Sequence, residues 1–185
     1  MYGRICTQNR KAPGQLESYD GQMPIGLLPI AAPKDSADLT DPQSVAEAFL
    51  AAMAAADLDA AMAFLADDVV YTNVGLPTIR GRAQVAKALG VLNRPGAGFE
   101  VYFHAISADG PVVLTERTDV LRFGRFRAQF WVWGRFDVRD GQITLWRDSF
   151  DFLDVLRANV RGLLGVVVPS LAPAPPTSPD AAPGR

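Results

Sequence analysis

Polar and apolar positions alternate with two different periods along this chain, and the change from one to the other divides it. Over residues 40–92 the apolar positions recur mostly at helical spacing. Val45, Phe49 and Ala52 stand three and four apart, which predicts a first helix to about Ala55. Thr40 is placed to cap it, Pro42 suits its first turn, and Gln43 can close a capping box. A second short helix is expected from Asp57 through Leu58, Met62 and Leu65. Residues 69–74 form a β-rich run ended by Gly75 and Pro77, in which Val69, Tyr71 and Asn73 share a face. Residues 81–92 predict a third helix with Val85, Leu89 and Leu92 inward, stopped by Asn93-Arg94-Pro95-Gly96.

Beyond Gly96 the period falls to two. Strands are expected over 99–107, 112–123, 126–138 and 143–152, joined by short connections at Asp109-Gly110, Gly124 and Asp140-Gly141. Consecutive strands joined this way predict an antiparallel meander. Helices first and a meander afterwards predict an α+β domain with its helices packed on one sheet face. Leu153, Leu156, Val160, Leu163 and Leu164 then return to helical spacing, as an amphipathic segment that closes part of the domain or marks an oligomer contact. Scattered Gly and Pro over 1–39, with Pro24, Pro29 and Pro33 breaking the apolar piece 25–32, predict a flexible leader. Pro and Ala dominate 169–185, which predicts a disordered tail, so the domain spans 40–168.

Composition narrows the classes. With 185 residues and ordinary apolar and charged fractions, the chain suits one compact domain plus extensions. A net charge of −2 gives no basic footprint for nucleic acid or an anionic membrane surface. The single cysteine, Cys6, excludes a disulfide framework or thiolate cluster within one chain, and the single histidine, His104, excludes any site needing two imidazoles. No apolar run approaches the ~20 residues that cross a bilayer, and the first residues lack a secretory pattern. The expectation is a cytoplasmic protein with no membrane insertion.

The strand parity then assembles a candidate site. Thr115, Arg117, Asp119 and Leu121 share one face of their strand, as do Trp146, Asp148 and Phe150 of the last, and Phe126, Ala128, Phe130 and Val132 of the long one between. Tyr71 and Asn73 join them from the first strand. Glu116, Thr118 and Arg147 have the opposite parity and are excluded. The result is an apolar cup holding two carboxylates, and burying both requires an arginine between them or a retained proton. Their surroundings can separate the two proton affinities, leaving one acid charged to deprotonate water and the other neutral to protonate a leaving oxygen. The Tyr71 hydroxyl and the Asn73 amide are placed to hold that water. His104 is expected to be a hydrogen-bonded strand residue, and Trp131 with Trp133, on the other face, to serve packing or a dimer surface. An Arg-x-Asp pair alone is more often a surface ion pair, so the weight rests on the coincidence of faces.

The motifs Tyr71-Thr-Asn73-Val-Gly-Leu-Pro, Thr115-Glu-Arg117-Thr-Asp119 and Ile143-Thr-Leu-Trp-Arg-Asp148-Ser-Phe-Asp together resemble the limonene epoxide hydrolase family. Its mycobacterial members are especially similar, through Gln-Phe-Trp-Val before the last turn and a Leu-Leu-Gly end running into Val-Val-Pro-Ser-Leu. The similarity spans about 42–171. It implies a cystatin-like cone, a curved mixed sheet cupped by helices, and a homodimer. It also implies addition of water to a small hydrophobic epoxide without metal or cofactor. By motif position Asp148 would be the general base, Asp119 the general acid and Arg117 the bridge between them. Tyr71 and Asn73 would bind the water with Asp148. Leu121, Phe126, Phe130, Val132, Trp146 and Phe150 would line the substrate pocket. Ser149 departs from the tyrosine the family often carries there, on the face away from the pocket. Two other uses of such a cup stay open: a steroid or lipid carrier, which has no need of two buried acids, and an isomerase or cyclase, which needs an oxyanion donor against a carbonyl.

Overall fold

The computed structural model describes residues 40–176; the expectations for the leader 1–39, with Cys6, and for the tail beyond 176 lie outside the described residues. The chain forms α1 (Pro42–Ala54), α2 (Leu58–Ala63), β1 (Leu65–Asn73), β2 (Ile79–Arg80) and α3 (Arg82–Leu89), which runs on into a 3-10 turn. The strands β3 (Ala97–Asp109), β4 (Val112–Phe123), β5 (Phe126–Arg139) and β6 (Gln142–Ser149) follow, then α4 (Phe152–Val167) and a 3-10 turn at Pro169–Leu171. The sheet order is β2-β1-β6-β5-β4-β3. The expected meander is present from β3 to β6, but β1 adds parallel to β6, so the six-stranded sheet is mixed. It is curved and unclosed, consistent with the α+β cone that the resemblance implies.

One face of the sheet carries the core. Val45, Phe49 and Leu50 of α1 are fully buried among Val101 of β3, Val113 of β4, Phe136 of β5 and Trp146 of β6. Phe49 meets Trp146 edge-on at 5.0 Å between ring centroids, and Trp146 stacks on Phe136 at 6.3 Å. Side chains of this size bury enough apolar surface to contribute roughly 1.5–3 kcal/mol each. These contacts fix α1 on the face of the sheet that also carries Arg117 and Asp148.

The ends of the elements depart from the periodicity for local reasons. Asp41, not Thr40, caps α1: its carboxylate accepts from the Ser44 amide at 2.8 Å, and Gln43 turns to Glu47 at 2.9 Å instead of closing a capping box. Leu65 opens β1 rather than ending α2, because it pairs with Ile143 in the sheet. The third helix leaves α geometry at Gly90, and the two-residue β2 was not legible as a strand. The last strand stops at Ser149 because Asp151 caps α4, accepting from the amides of Leu153 at 2.7 Å and Asp154 at 3.2 Å.

Helix α4 turns its small residues toward the sheet. Its contact with β5 runs through small residues: Ala158 sits against Ala128, Phe130 and Val132, and Gly162 lies under the backbone of Arg127. A Cβ on Gly162 would stand 2.6 Å from the Arg127 carbonyl oxygen. Leu153, Leu156, Val160, Leu163 and Leu164 are exposed. The start of the tail is ordered as well, with the Pro169–Leu171 turn following α4, and Pro173 and Pro176 buried.

Candidate active site

The register of the sheet lines up the chemistry in two adjacent rows. Asn73 pairs with Asp148, Asp148 with Gly134, and Gly134 with Thr115, so these four residues run straight across β1, β6, β5 and β4. Arg117, paired with Val132, stands one same-face step along β4, and Asp119, paired with Phe130, one step beyond. Arg117 leans back so that its guanidinium lies over Gly134. There it donates from Nε to Asp119 Oδ1 at 2.9 Å, from Nη2 to Asp119 Oδ2 at 3.2 Å, and from Nη1 to Thr115 Oγ1 at 2.9 Å. The Phe136 ring lies beneath it, 5.9 Å from the guanidinium carbon.

The same Nη2 approaches Asp148 Oδ1 at 2.7 Å. This contact is an ion pair by distance, made off the direction a hydrogen bond requires, and Asp148 Oδ1 has no hydrogen bond. One arginine therefore grips Asp119 with two bonds and meets Asp148 through an ion pair at the same Nη2. Arg117 has no exposure, whereas Asp119 keeps 6% and Asp148 5%. All three charged groups are buried, the cation most completely.

With both acids ionised the cluster carries a net negative charge in a site nearly free of water, which is costly, so the site favours retaining a proton. Burial pushes Asp119 up to about 6; Arg117 opposes the rise and the charge of Asp148 adds to it. Arg117 itself is held charged: burial alone would lower it, but the two carboxylates outweigh that and raise it. Burial, reinforced by Asp148, raises the Tyr71 phenol far above neutrality, so it remains a donor.

Tyr71 and Asn73 are brought to the same place. Asn73 Nδ2 donates to Tyr71 Oη at 2.8 Å, which leaves the phenol hydrogen and the amide oxygen for a ligand. The Tyr71 ring stacks on Trp146 at 4.0 Å, and the Val74 amide donates to the Asp148 carbonyl at 2.8 Å, locking the end of β1 to β6 beside the acid. A water here could give a proton to Asp148 while Tyr71 and Asn73 orient it.

The apolar residues expected to line a pocket divide. Trp146 is floor, buried between Tyr71, Phe49 and Phe136. Phe130 and Val132 flank the acids in the cluster under α4, and Phe150 meets Phe130 edge-on at 5.9 Å. Leu121 borders both apolar clusters. Phe126 packs against the same cluster from further along β5, beside Gly162. The parity exclusions agree with the structure: Arg147 and Ser149 line a groove on the opposite face with Glu116 and Trp133, and Thr118 pairs with His104 Nε2 at 2.8 Å. Trp131 and Trp133 stack on each other at 5.9 Å. Thr115 was legible as an inward residue but not as a partner of Arg117, and Gly134 was not singled out. Its signal was there, a glycine in the middle of a strand-like run, which marks a close approach.

Among the described residues no cluster of three or more His, Cys, Asp or Glu is arranged to hold a metal ion, and no helix is long and apolar enough to cross a membrane. Residues 40–161 match the family model of the limonene-1,2-epoxide hydrolase catalytic domain. Over 125 residues the chain is 53% identical to epoxide hydrolase EphG of Mycobacterium tuberculosis, covering 68% of this chain and 83% of that one. A solved M. tuberculosis epoxide hydrolase of the same type superposes with a TM-score of 0.66 at 50% identity, covering 70% of this chain and 97% of the other. An NTF2-like protein from Burkholderia pseudomallei, with a TM-score of 0.56 at 16% identity over 64% of this chain and 96% of that one, shares the fold.

Proposed function

Since the chain belongs to the limonene-1,2-epoxide hydrolase family and is an epoxide hydrolase, we propose that it adds water to a hydrophobic epoxide in one acid–base step, with Asp148 as base and Asp119 as acid. The observation that carries this assignment is the fully buried Arg117 held between two carboxylates, at 2.9 Å from one and 2.7 Å from the other. Asp119, with its affinity for a proton raised, is the member suited to give one. Asp148, which shares only the Nη2 corner of the guanidinium and stands beside Tyr71 and Asn73, is the member suited to receive one.

Tyr71, Asn73 and Asp148 hold a water against a ring carbon. The water oxygen forms the new carbon–oxygen bond as its proton passes to Asp148. The ring carbon–oxygen bond breaks, and its electron pair takes the proton of Asp119, giving a vicinal diol. One proton then returns from Asp148 to Asp119 to reset the site. Arg117 keeps the charge of the cluster balanced throughout, and no covalent ester forms on either acid. Neither a metal nor a cofactor takes part in the step as written.

Leu121, Phe130, Val132 and Phe150 supply the apolar wall that selects a hydrophobic epoxide and dries the acids. The protein works as a homodimer in the cytoplasm; the exposed apolar side of α4 supports the dimer, since a single chain rarely leaves so much apolar surface uncovered. Turnover of an epoxide panel tests the assignment. Asp119→Asn and Asp148→Asn should each lose roughly 10²–10⁴-fold in kcat with the fold intact. Near-full activity in either folded variant would remove that residue from the mechanism.

A further inference from the structure

We infer that Gly134 and Thr115 are positioning residues, which together set the place of the Arg117 guanidinium and thereby its simultaneous hold on Asp119 and Asp148. The inference rests on Arg117 as the bridge between the acids and adds what makes that bridge possible.

The row Asn73, Asp148, Gly134, Thr115 has a side chain at every position except the third. The guanidinium fills that gap. A Cβ built on Gly134 would stand 2.1 Å from Arg117 Nη1 and 2.4 Å from Thr115 Oγ1, so no other residue fits beneath the cation as it lies. The demand is spatial and not conformational. Gly134 is not among the residues with positive φ, so its backbone is open to any residue, and a glycine within a strand otherwise only weakens it. What that weakening makes room for is the passage of a charged group across β5 to reach β6.

Thr115 closes the other side. Its hydroxyl accepts from Nη1 at 2.9 Å, pulling the end of the guanidinium away from Asp119, while Nε and Nη2 are held by Asp119. The planar group has a fixed fork, so fixing Nη1 and Nε fixes Nη2, which is the atom that meets Asp148. Without the hydroxyl the plane can swing about the two atoms that Asp119 holds, and the Nη2 hydrogens turn away from Asp148. Without the gap it cannot reach Asp148 at all.

Three variants test this: Gly134→Ala, Thr115→Val and Thr115→Ser. Each is measured for kcat and KM against pH, and by NMR of the ¹⁵N-labelled arginine side chains with hydrogen exchange at Arg117. Thr115→Val should lose roughly tenfold in kcat, the scale of a hydrogen bond to a charged group. Gly134→Ala should lose about a hundredfold, the scale of an ångström-sized displacement of a catalytic group. KM should stay within about twofold in both, since uniform binding is untouched. In both variants the cation no longer offsets the charge of Asp148, which raises Asp119, so the alkaline limb of the pH profile should move upward, and the Arg117 side-chain signals should shift and exchange faster. Thr115→Ser should restore the wild-type values. Folded Thr115→Val and Gly134→Ala proteins with an unmoved limb and unperturbed Arg117 signals would overturn the inference, whatever their kcat. If Gly134→Ala does not fold, the Thr115 pair decides alone. The arginine signals read out positioning even if the acid–base assignment fails, so the two failures are distinguishable.

Discussion

At Asp119 a bidentate arginine would ordinarily hold a carboxylate well down, yet here burial and the neighbouring Asp148 outweigh it and carry the acid up to about 6. The catalytic form needs that proton, so kcat/KM should fall tenfold per pH unit above about 6, measured on the free enzyme with dilute substrate. A bound hydrophobic epoxide dries the site further, which moves the same limb in kcat to higher pH. Because the charge of Asp148 helps raise Asp119, the Asp148→Asn protein should titrate Asp119 at a lower pH, readable from its carboxyl carbon by NMR. Arg117→Met leaves two buried acids without a cation and should cost about 3–5 kcal/mol in denaturant unfolding near neutral pH. Side-chain parity grouped these residues on one face, because a strand leaves only two choices, and the family resemblance gave them their roles. It could not find the job of Gly134, since a residue without a side chain has no parity and only the register shows what lies above it.

The elements that hold the site were legible where one period runs unbroken. The limits of β4 were read correctly, and the turns at Asp109-Gly110 and Asp140-Gly141 fell where a short connection needs a positive φ. The parallel pairing of β1 with β6 was not legible, because an apolar run of that length does not encode which strand it will meet. At α4 the spacing found the helix and left open whether its large apolar residues close the domain or mark an oligomer contact. Close approach to β5 selects Ala158 and Gly162, and the larger apolar residues are left outside. Gly162→Leu should therefore destabilise the protein by about 1–3 kcal/mol or more, as overpacking does, with a lowered midpoint in urea. Leu156→Ser, on the exposed side, should leave unfolding of the dilute monomer within about 0.5 kcal/mol.

For the molecule as a whole, the same exposed side of α4 separates assembly from chemistry. If α4 carries the proposed dimer contact, Leu163→Glu should sediment as a monomer where the parent sediments as a dimer. A Leu163→Glu protein that sediments as the parent does would place the contact elsewhere. Beyond assembly, the account makes one claim about the reaction that no stability measurement reaches: the oxygen entering the diol comes directly from water. Single-turnover hydrolysis in oxygen-18 water, with enzyme in excess over epoxide, tests it most directly. The account predicts one labelled oxygen in the first diol formed and unlabelled carboxylates at Asp119 and Asp148. An unlabelled first diol, with the label appearing in one of those carboxylates, would mean that an aspartate attacked the ring, and would contradict it.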